Sequence, residues 1–247
     1  MRTKLAAANW KMNKPRAGAA DFARALAGRF PDAGCDIALF PPFTAMDAVS
    51  SGAGGRIMLG AQNVFYEESG PYTGEVSCGM LKDAGCGMVI VGHSERRRIF
   101  GESDETVAAK TKAVADCGMR VLLCVGETAE QRADGGAAAV VRRQIEAAVR
   151  NVSPRSITVA YEPVWAIGTG NSARISDIEE MHEGIRGVLS ALYGADSEGV
   201  GVVYGGSVNA RNARDIAGAA NVDGMLVGGA SLELETFAVI IEAILAV

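Results

Sequence analysis

Lys11, His93 and Glu162, three side chains able to carry or shift a proton, each sit just past a short apolar run in this 247-residue chain. Glu162 lies in Ala160-Tyr161-Glu162-Pro163, where a hydrophobic strand stops at a proline. A carboxylate drawn partly out of water is a stronger base, suited to taking a proton from a substrate. The same position suits a salt-bridged strand-end glutamate, and placement alone does not choose between them. His93 follows Val89-Ile90-Val91-Gly92, and Ser94 and Glu95 read as the start of a short helix. The positive end of a helix disfavours imidazolium, so a neutral ring that donates a hydrogen bond fits there, as does a structural histidine satisfied by backbone. His182 falls in the middle of a helical stretch near Glu179 and reads as structural. Lys11 stands two residues after Asn9, so the two point to the same side if the extended conformation continues. An ammonium there suits an anionic substrate, although most lysines are simply solvated.

Two glycine turns extend this set. Gly205-Gly206-Ser207 and Gly228-Gly229 follow the last two apolar runs. Backbone N–H groups in such loops can hold a phosphate. Glycines also simply make turns, and it is the occurrence of both pairs that makes the signal specific. The stretch Pro163–Ala173 is long, small-residued toward its end and carries Ile167 near its tip, the profile of a hinged lid that excludes water. A rigid first half anchored by Trp165 is compatible with that profile. No complete nucleotide-binding glycine signature, zinc-protease H-E-x-x-H or serine-hydrolase G-x-S-x-G is present, and the strand ends hold no metal-ligand cluster. Neither a cofactor nor a metal is expected.

The elements that must position these groups recur as a unit. Apolar runs at Leu5–Asn9, Asp36–Phe40, Ile57–Gln62, Met88–Gly92, Val121–Gly126, Ile157–Glu162, Val200–Gly205 and Gly224–Gly228 predict eight strands. Each is nearly continuous in hydrophobicity, as for parallel strands covered on both faces. Between them, Ala17–Arg29, Asp104–Cys117, Gly136–Val149 and Ser176–Leu192 have helical period. In the last, Ser176 and Glu179 suggest a capping box, and Ile178, Met181, Ile185, Val188 and Leu192 an apolar stripe. This alternation predicts a (β/α)8 barrel. An open doubly wound sheet shares the pattern, but a count of eight strands and the lack of a polar edge strand favour the barrel. No linker divides the chain, so residues 1–247 read as one domain.

Composition narrows the rest. Hydrophobic residues make up 49% and charged residues 21%, as expected of a globular protein with a large core. The net charge of −5 argues against a nucleic-acid partner. The longest basic run, Arg96-Arg97-Arg98, reads as a solvated helix face for Arg97 and Arg98. Five cysteines without metal-like spacing read as buried or free thiols in a reducing compartment. No signal sequence or membrane-length apolar stretch is found, which predicts a cytoplasmic protein.

Taken together and in order, five segments resemble the triosephosphate isomerases along the whole chain. They are Asn9-Trp10-Lys11-Met12-Asn13, Gly92-His93-Ser94-Glu95-Arg96-Arg97, Tyr161 through Gly170, Tyr204-Gly205-Gly206-Ser207-Val208, and Val227-Gly228-Gly229-Ala230-Ser231-Leu232. The resemblance implies interconversion of dihydroxyacetone phosphate and D-glyceraldehyde 3-phosphate through an enediolate, in glycolysis and gluconeogenesis. It implies Glu162 as the base, neutral His93 polarising the carbonyl, Lys11 with Asn9 beside the substrate, and Glu95 in support. In that family the glutamate acts as base and a histidine kept neutral by a helix N-terminus acts as electrophile. Amides of Gly168, Ser207, Gly228 and Gly229 are implied to hold the phosphate.

The segment Gln62–Glu75 is long, patternless and aromatic, as loops that dock on a partner are. The resemblance implies that it inserts into a second subunit, with Thr73 and Glu75 helping to build the neighbour's site, so a homodimer is expected. Pro71-Tyr72 and Asn171-Ser172-Ala173 depart from the commoner family residues. Three other activities remain compatible with parts of the pattern. They are an isomerase of four-carbon ketose phosphates, a Schiff-base aldolase using Lys11, and a non-catalytic binding protein.

Overall fold

The computed structural model describes residues 2–167 and 172–247. Eight parallel strands run in sequence order around a closed ring: β1 (Leu5–Asn9), β2 (Asp36–Phe40), β3 (Met58–Ala61), β4 (Met88–Val91), β5 (Arg120–Val125), β6 (Ile157–Tyr161), β7 (Gly201–Tyr204) and β8 (Gly224–Val227). The seam joins the two ends of the chain, with Leu5 to Ala8 paired to Gly224 to Val227. This is the expected (β/α)8 barrel and not an open sheet. Every strand end lies within one residue of the sequence reading. Apolar runs buried on both faces are hard to mistake for anything else.

Side chains alternate between two cores. Leu5, Ala7, Phe40, Ile90, Leu122 and Leu226 are among those filling the ring. Ala6, Ala8, Leu39, Val89, Val121 and Val159 face outward, into the core shared with the helices. Phe40 fills the ring so fully that a Cβ on Gly60 would lie 2.3 Å from its ring. Among the described residues no helix is long and apolar enough to cross a membrane. All five cysteines are free thiols.

The helix Ile175–Tyr193 corrects two details. Its N-cap is Arg174, two residues before the expected Ser176, so Asp177 and not Glu179 occupies the third position. The Asp177 carboxylate accepts the Arg174 amide at 3.2 Å and pairs with its guanidinium at 2.9 Å. Glu179 instead accepts the Ala220 amide at 3.0 Å. Leu192 is 42% exposed, and Leu189 completes the buried stripe with Ile178, Met181, Ile185 and Val188.

Candidate active site

Alternation carried past the strand ends predicts which residues form the topmost inward layer. After Ala7, Cys124, Ala160, Val203 and Leu226, the next inward positions are Asn9, Gly126, Glu162, Gly205 and Gly228. Three of the five are glycine, and that makes room for the glutamate and for a ligand. A Cβ on Gly126 would lie 1.7 Å from the Glu162 carbonyl oxygen, and one on Gly205 would lie 3.0 Å from the Glu162 Cγ. Glu162 is 2% exposed. Its Oε2 accepts the Ser94 amide at 2.8 Å, and its Oε1 lies 3.1 Å from His93 Nε2.

His93 reaches this layer against the alternation. Met88 and Ile90 point inward, so the following odd position would point outward. Gly92, at φ +73°, breaks the strand and turns His93 toward the mouth. His93 then caps the helix Ser94–Phe100, with Nδ1 accepting the Glu95 amide at 3.2 Å. A ring nitrogen that accepts a hydrogen bond carries no proton. With Nδ1 taking up that amide, Nε2 is the ring nitrogen left to donate toward Glu162. A single amide fixes this tautomer, a more local cause than the helix dipole.

Lys11 corrects the geometry argued from spacing. The extended conformation does not continue, because Lys11 is left-handed at φ +50°. A non-glycine residue there costs on the order of 1 kcal/mol. Three bonds hold it. Its amide donates to Asn9 Oδ1 at 3.0 Å, and Gln62 Nε2 donates to the carbonyls of Lys11 and Phe40, each at 2.8 Å. Asn9 and Lys11 therefore share the mouth through a turn. The Lys11 ammonium lies 2.7 Å from Glu95 Oε1. Burial pulls the Glu95 carboxyl upward, but the Lys11 hydrogen bond and the surrounding charges together outweigh it and leave the carboxyl below its ordinary value.

These groups face a cavity of about 580 Å³ that runs from Asn9, Lys11, His93 and Glu162 to the two glycine turns. Ser207 and Gly228–Ala230 line its far end. Gly228 precedes a turn of 3-10 helix, Gly229–Ser231, and Ser231 Oγ donates to the Gly228 carbonyl at 2.6 Å. The first amides of such a turn have no acceptor inside it. Gly168, the fourth amide implied for a phosphate, lies outside the described residues, as does the centre of the stretch read as a lid.

A sequence profile of the triosephosphate isomerase family matches residues 4–244. The chain belongs to the triosephosphate isomerase family. It is 46% identical to a protein named triosephosphate isomerase from Chlorobium luteolum, over 98% of this chain and 99% of that one. A relative of the same name from Nitratidesulfovibrio vulgaris (strain Miyazaki F) is also 46% identical, over 97% and 99% of the two chains. One from Symbiobacterium thermophilum is 46% identical over 98% and 97%. The family's activity, isomerisation of triose phosphates in glycolysis, is therefore this chain's, and it is an enzyme.

Several contributors to the site escape a reading by residue type. Ser94 acts through its amide, which any residue would supply. Gln62 stands at a strand end, yet only the structure gives it two carbonyls to hold. Glu127, just past β5, is fully buried. Its Oε1 accepts Trp165 Nε1 at 2.8 Å and Tyr161 Oη at 3.1 Å. Trp165 thus anchors the first half of the stretch after Glu162. Arg97 is not a solvated residue as expected. Its Nε donates to the Gly92 carbonyl at 2.9 Å and its Nη1 lies 2.6 Å from Asp104, which helps hold the turn that aims His93. Arg98 is exposed at the cavity rim. Complete burial, with the Glu162 carboxylate alongside, pushes the Cys124 thiol well above its ordinary value, so it is no nucleophile.

Proposed function

We propose that the chain interconverts dihydroxyacetone phosphate and D-glyceraldehyde 3-phosphate by proton transfer through an enediolate, with Glu162 as the base and His93 as the electrophile. The observation that carries the assignment is the 3.1 Å approach of Glu162 Oε1 to His93 Nε2 at the head of a cavity ending in two glycine turns. Glu162 takes a proton from one substrate carbon and returns it to the neighbouring carbon. The Nε2 proton of His93 polarises the carbonyl as charge develops on its oxygen, and the ring then shuttles protons between the two oxygens. The Lys11 ammonium, set by Asn9, Gln62 and Glu95, offsets the substrate's negative charge. Amides of Ser207, Gly228 and Gly229, with Gly168 by resemblance, hold the phosphate. The scheme uses neither a cofactor nor a metal, and it takes place in the cytoplasm within a single domain spanning residues 1–247.

The test compares turnover of dihydroxyacetone phosphate with that of erythrulose phosphates. A higher kcat/KM for the four-carbon substrates would reassign the substrate while leaving the proton-transfer set intact.

The active unit proposed is a homodimer built through residues 62–75. Residues 66–75 are exposed, with Phe65 packed 4.4 Å from Tyr66 and 4.6 Å from Tyr72. A cleft of about 240 Å³ adjoins Lys11 and is lined by Met12, Phe43, Gln62 and Phe100. Met12 is 95% and Phe100 65% exposed, an apolar rim suited to an aromatic loop from a second copy. Thr73 and Glu75 would then reach the neighbour's Asn9 and Lys11.

A further inference from the structure

We infer that Arg132 is a positioning residue for the isomerisation, tying the segment that leaves Glu162 to the start of the helix Ile175–Tyr193. This rests on the reading of Glu162 as the base. The guanidinium makes three contacts. Nη1 lies 3.3 Å from Glu127 Oε1, Nη2 lies 2.9 Å from Asp177 Oδ1, and the guanidinium carbon lies 4.8 Å from the centroid of the Trp165 ring.

Each contact leads to the base or to the far flank. Glu127 holds three residues around Glu162. It takes the hydroxyl of Tyr161 and the indole N–H of Trp165 on Oε1, and its carbonyl accepts the Val164 amide at 3.1 Å. Asp177 holds Arg174 on the other side of the undescribed residues. One planar cation therefore fixes both flanks of residues 168–171 by touching a carboxylate on each side and an aromatic face between them.

The charge arrangement makes the cation necessary. Glu127 is fully exchanged from water into protein, and its Oε2 is buried with no hydrogen-bond partner among the described residues. Removing the guanidinium leaves that carboxylate buried without its counter-ion, and it then draws on the hydrogen bonds that set Tyr161 and Trp165. Arg132 is itself held on a rigid mount. It lies in the turn Ala129–Ala133, whose Thr128 and Gln131 form a reciprocal capping box with bonds of 3.3 and 2.9 Å. A lysine could meet one carboxylate but could neither bridge two nor stack on the indole. Arg132 does not line the catalytic cavity, so its effect on turnover must pass through the placement of Glu162.

The experiment uses the full chain with R132Q and R132K. It measures kcat, KM, thermal unfolding, and inhibition by a planar hydroxamate mimic of the enediolate and by inorganic phosphate. R132Q is expected to lose about a hundredfold in kcat, the scale set by displacing a reacting group by about an ångström. Affinity for the planar mimic should fall by a similar factor, while phosphate inhibition changes by less than about threefold. R132K is expected to recover part of the loss and to stop about tenfold short of the parent.

Unchanged kcat in R132Q would overturn the inference, as would equal weakening of the mimic and of phosphate, which would mark general damage to the site. If R132Q does not fold, R132K decides, and parental kcat in that variant overturns the assignment. Failure of the underlying reading looks different. If Glu162 is not the base, E162D keeps its turnover, whereas an error about Arg132 leaves E162D inactive and R132K fully active.

Discussion

His93 Nε2 and Glu162 Oε1 stand 3.1 Å apart with the imidazole proton between them. The carboxylate thus rests on two donors, this ring and the Ser94 amide at 2.8 Å. In its proposed role as base, the carboxylate must reach a substrate carbon from this position. The reach of the side chain is therefore critical, and E162D shortens it by one methylene. Turnover should fall by about a hundredfold or more while KM changes little. Steady-state kinetics of E162D at near-parental turnover would remove Glu162 from the role of base.

Gly126 sits where any side chain would meet the backbone of Glu162, the proposed base. Its Cβ would lie 1.7 Å from the Glu162 carbonyl oxygen. G126A must therefore displace β6 at its end, at a cost of about 1–3 kcal/mol. The expected result is a lowered midpoint in denaturant together with a disproportionate loss of kcat. A G126A protein with unchanged stability and kcat would show that the two strands are not so tightly apposed.

His182 gives the protein a distinctive response to acid. Burial lowers its imidazole to about 4 from an ordinary 6.5. Its Nδ1 meets the Asn221 carbonyl at 3.0 Å. The folded value lies below the unfolded one, so above pH 6.5 neither state binds the proton and stability is unaffected. As pH falls below 6.5 the unfolded chain takes up a proton that the fold refuses, and stability declines until about pH 4. The full decline is worth up to about 3 kcal/mol. Urea unfolding of the parent and H182Q at several pH values in that window should give a steeper pH dependence for the parent. Parallel curves would sink the idea.

Association should govern activity. With Met12 and Phe100 largely exposed beside the Lys11 cleft, the separate subunit leaves an apolar rim in water and Lys11 without its proposed neighbour. Sedimentation and specific activity measured through one dilution series should fall together. A monomer that retains full activity would refute the dimeric site.

The strands were legible because burial on both faces writes unbroken apolar runs, and Glu162 and His93 because barrels place their chemistry just past such runs. What escaped depends on backbone conformation or on distant pairing. Lys11 adopts a left-handed turn that its residue type does not announce, and the partner enforcing it, Gln62, is 51 positions away. Arg174 and Asp177 take the place of the expected Ser176–Glu179 cap, because residue type alone does not fix a helix start to within two residues. Arg97 reads as surface charge, since nothing local reveals the Gly92 carbonyl and Asp104 that hold it.

The seam between β1 and β8 has a kinetic corollary. Lys11 follows the first strand, His93 the fourth and Glu162 the sixth, while the second glycine turn follows the last. No stretch of nascent chain holds a working site, however well its own helices form. Ring closure is a pairing of residues more than 200 positions apart, the kind of contact that chains make late. During refolding, recovered turnover should lag helical circular dichroism, so that the enzyme's own assay clocks the last pairing in its assembly.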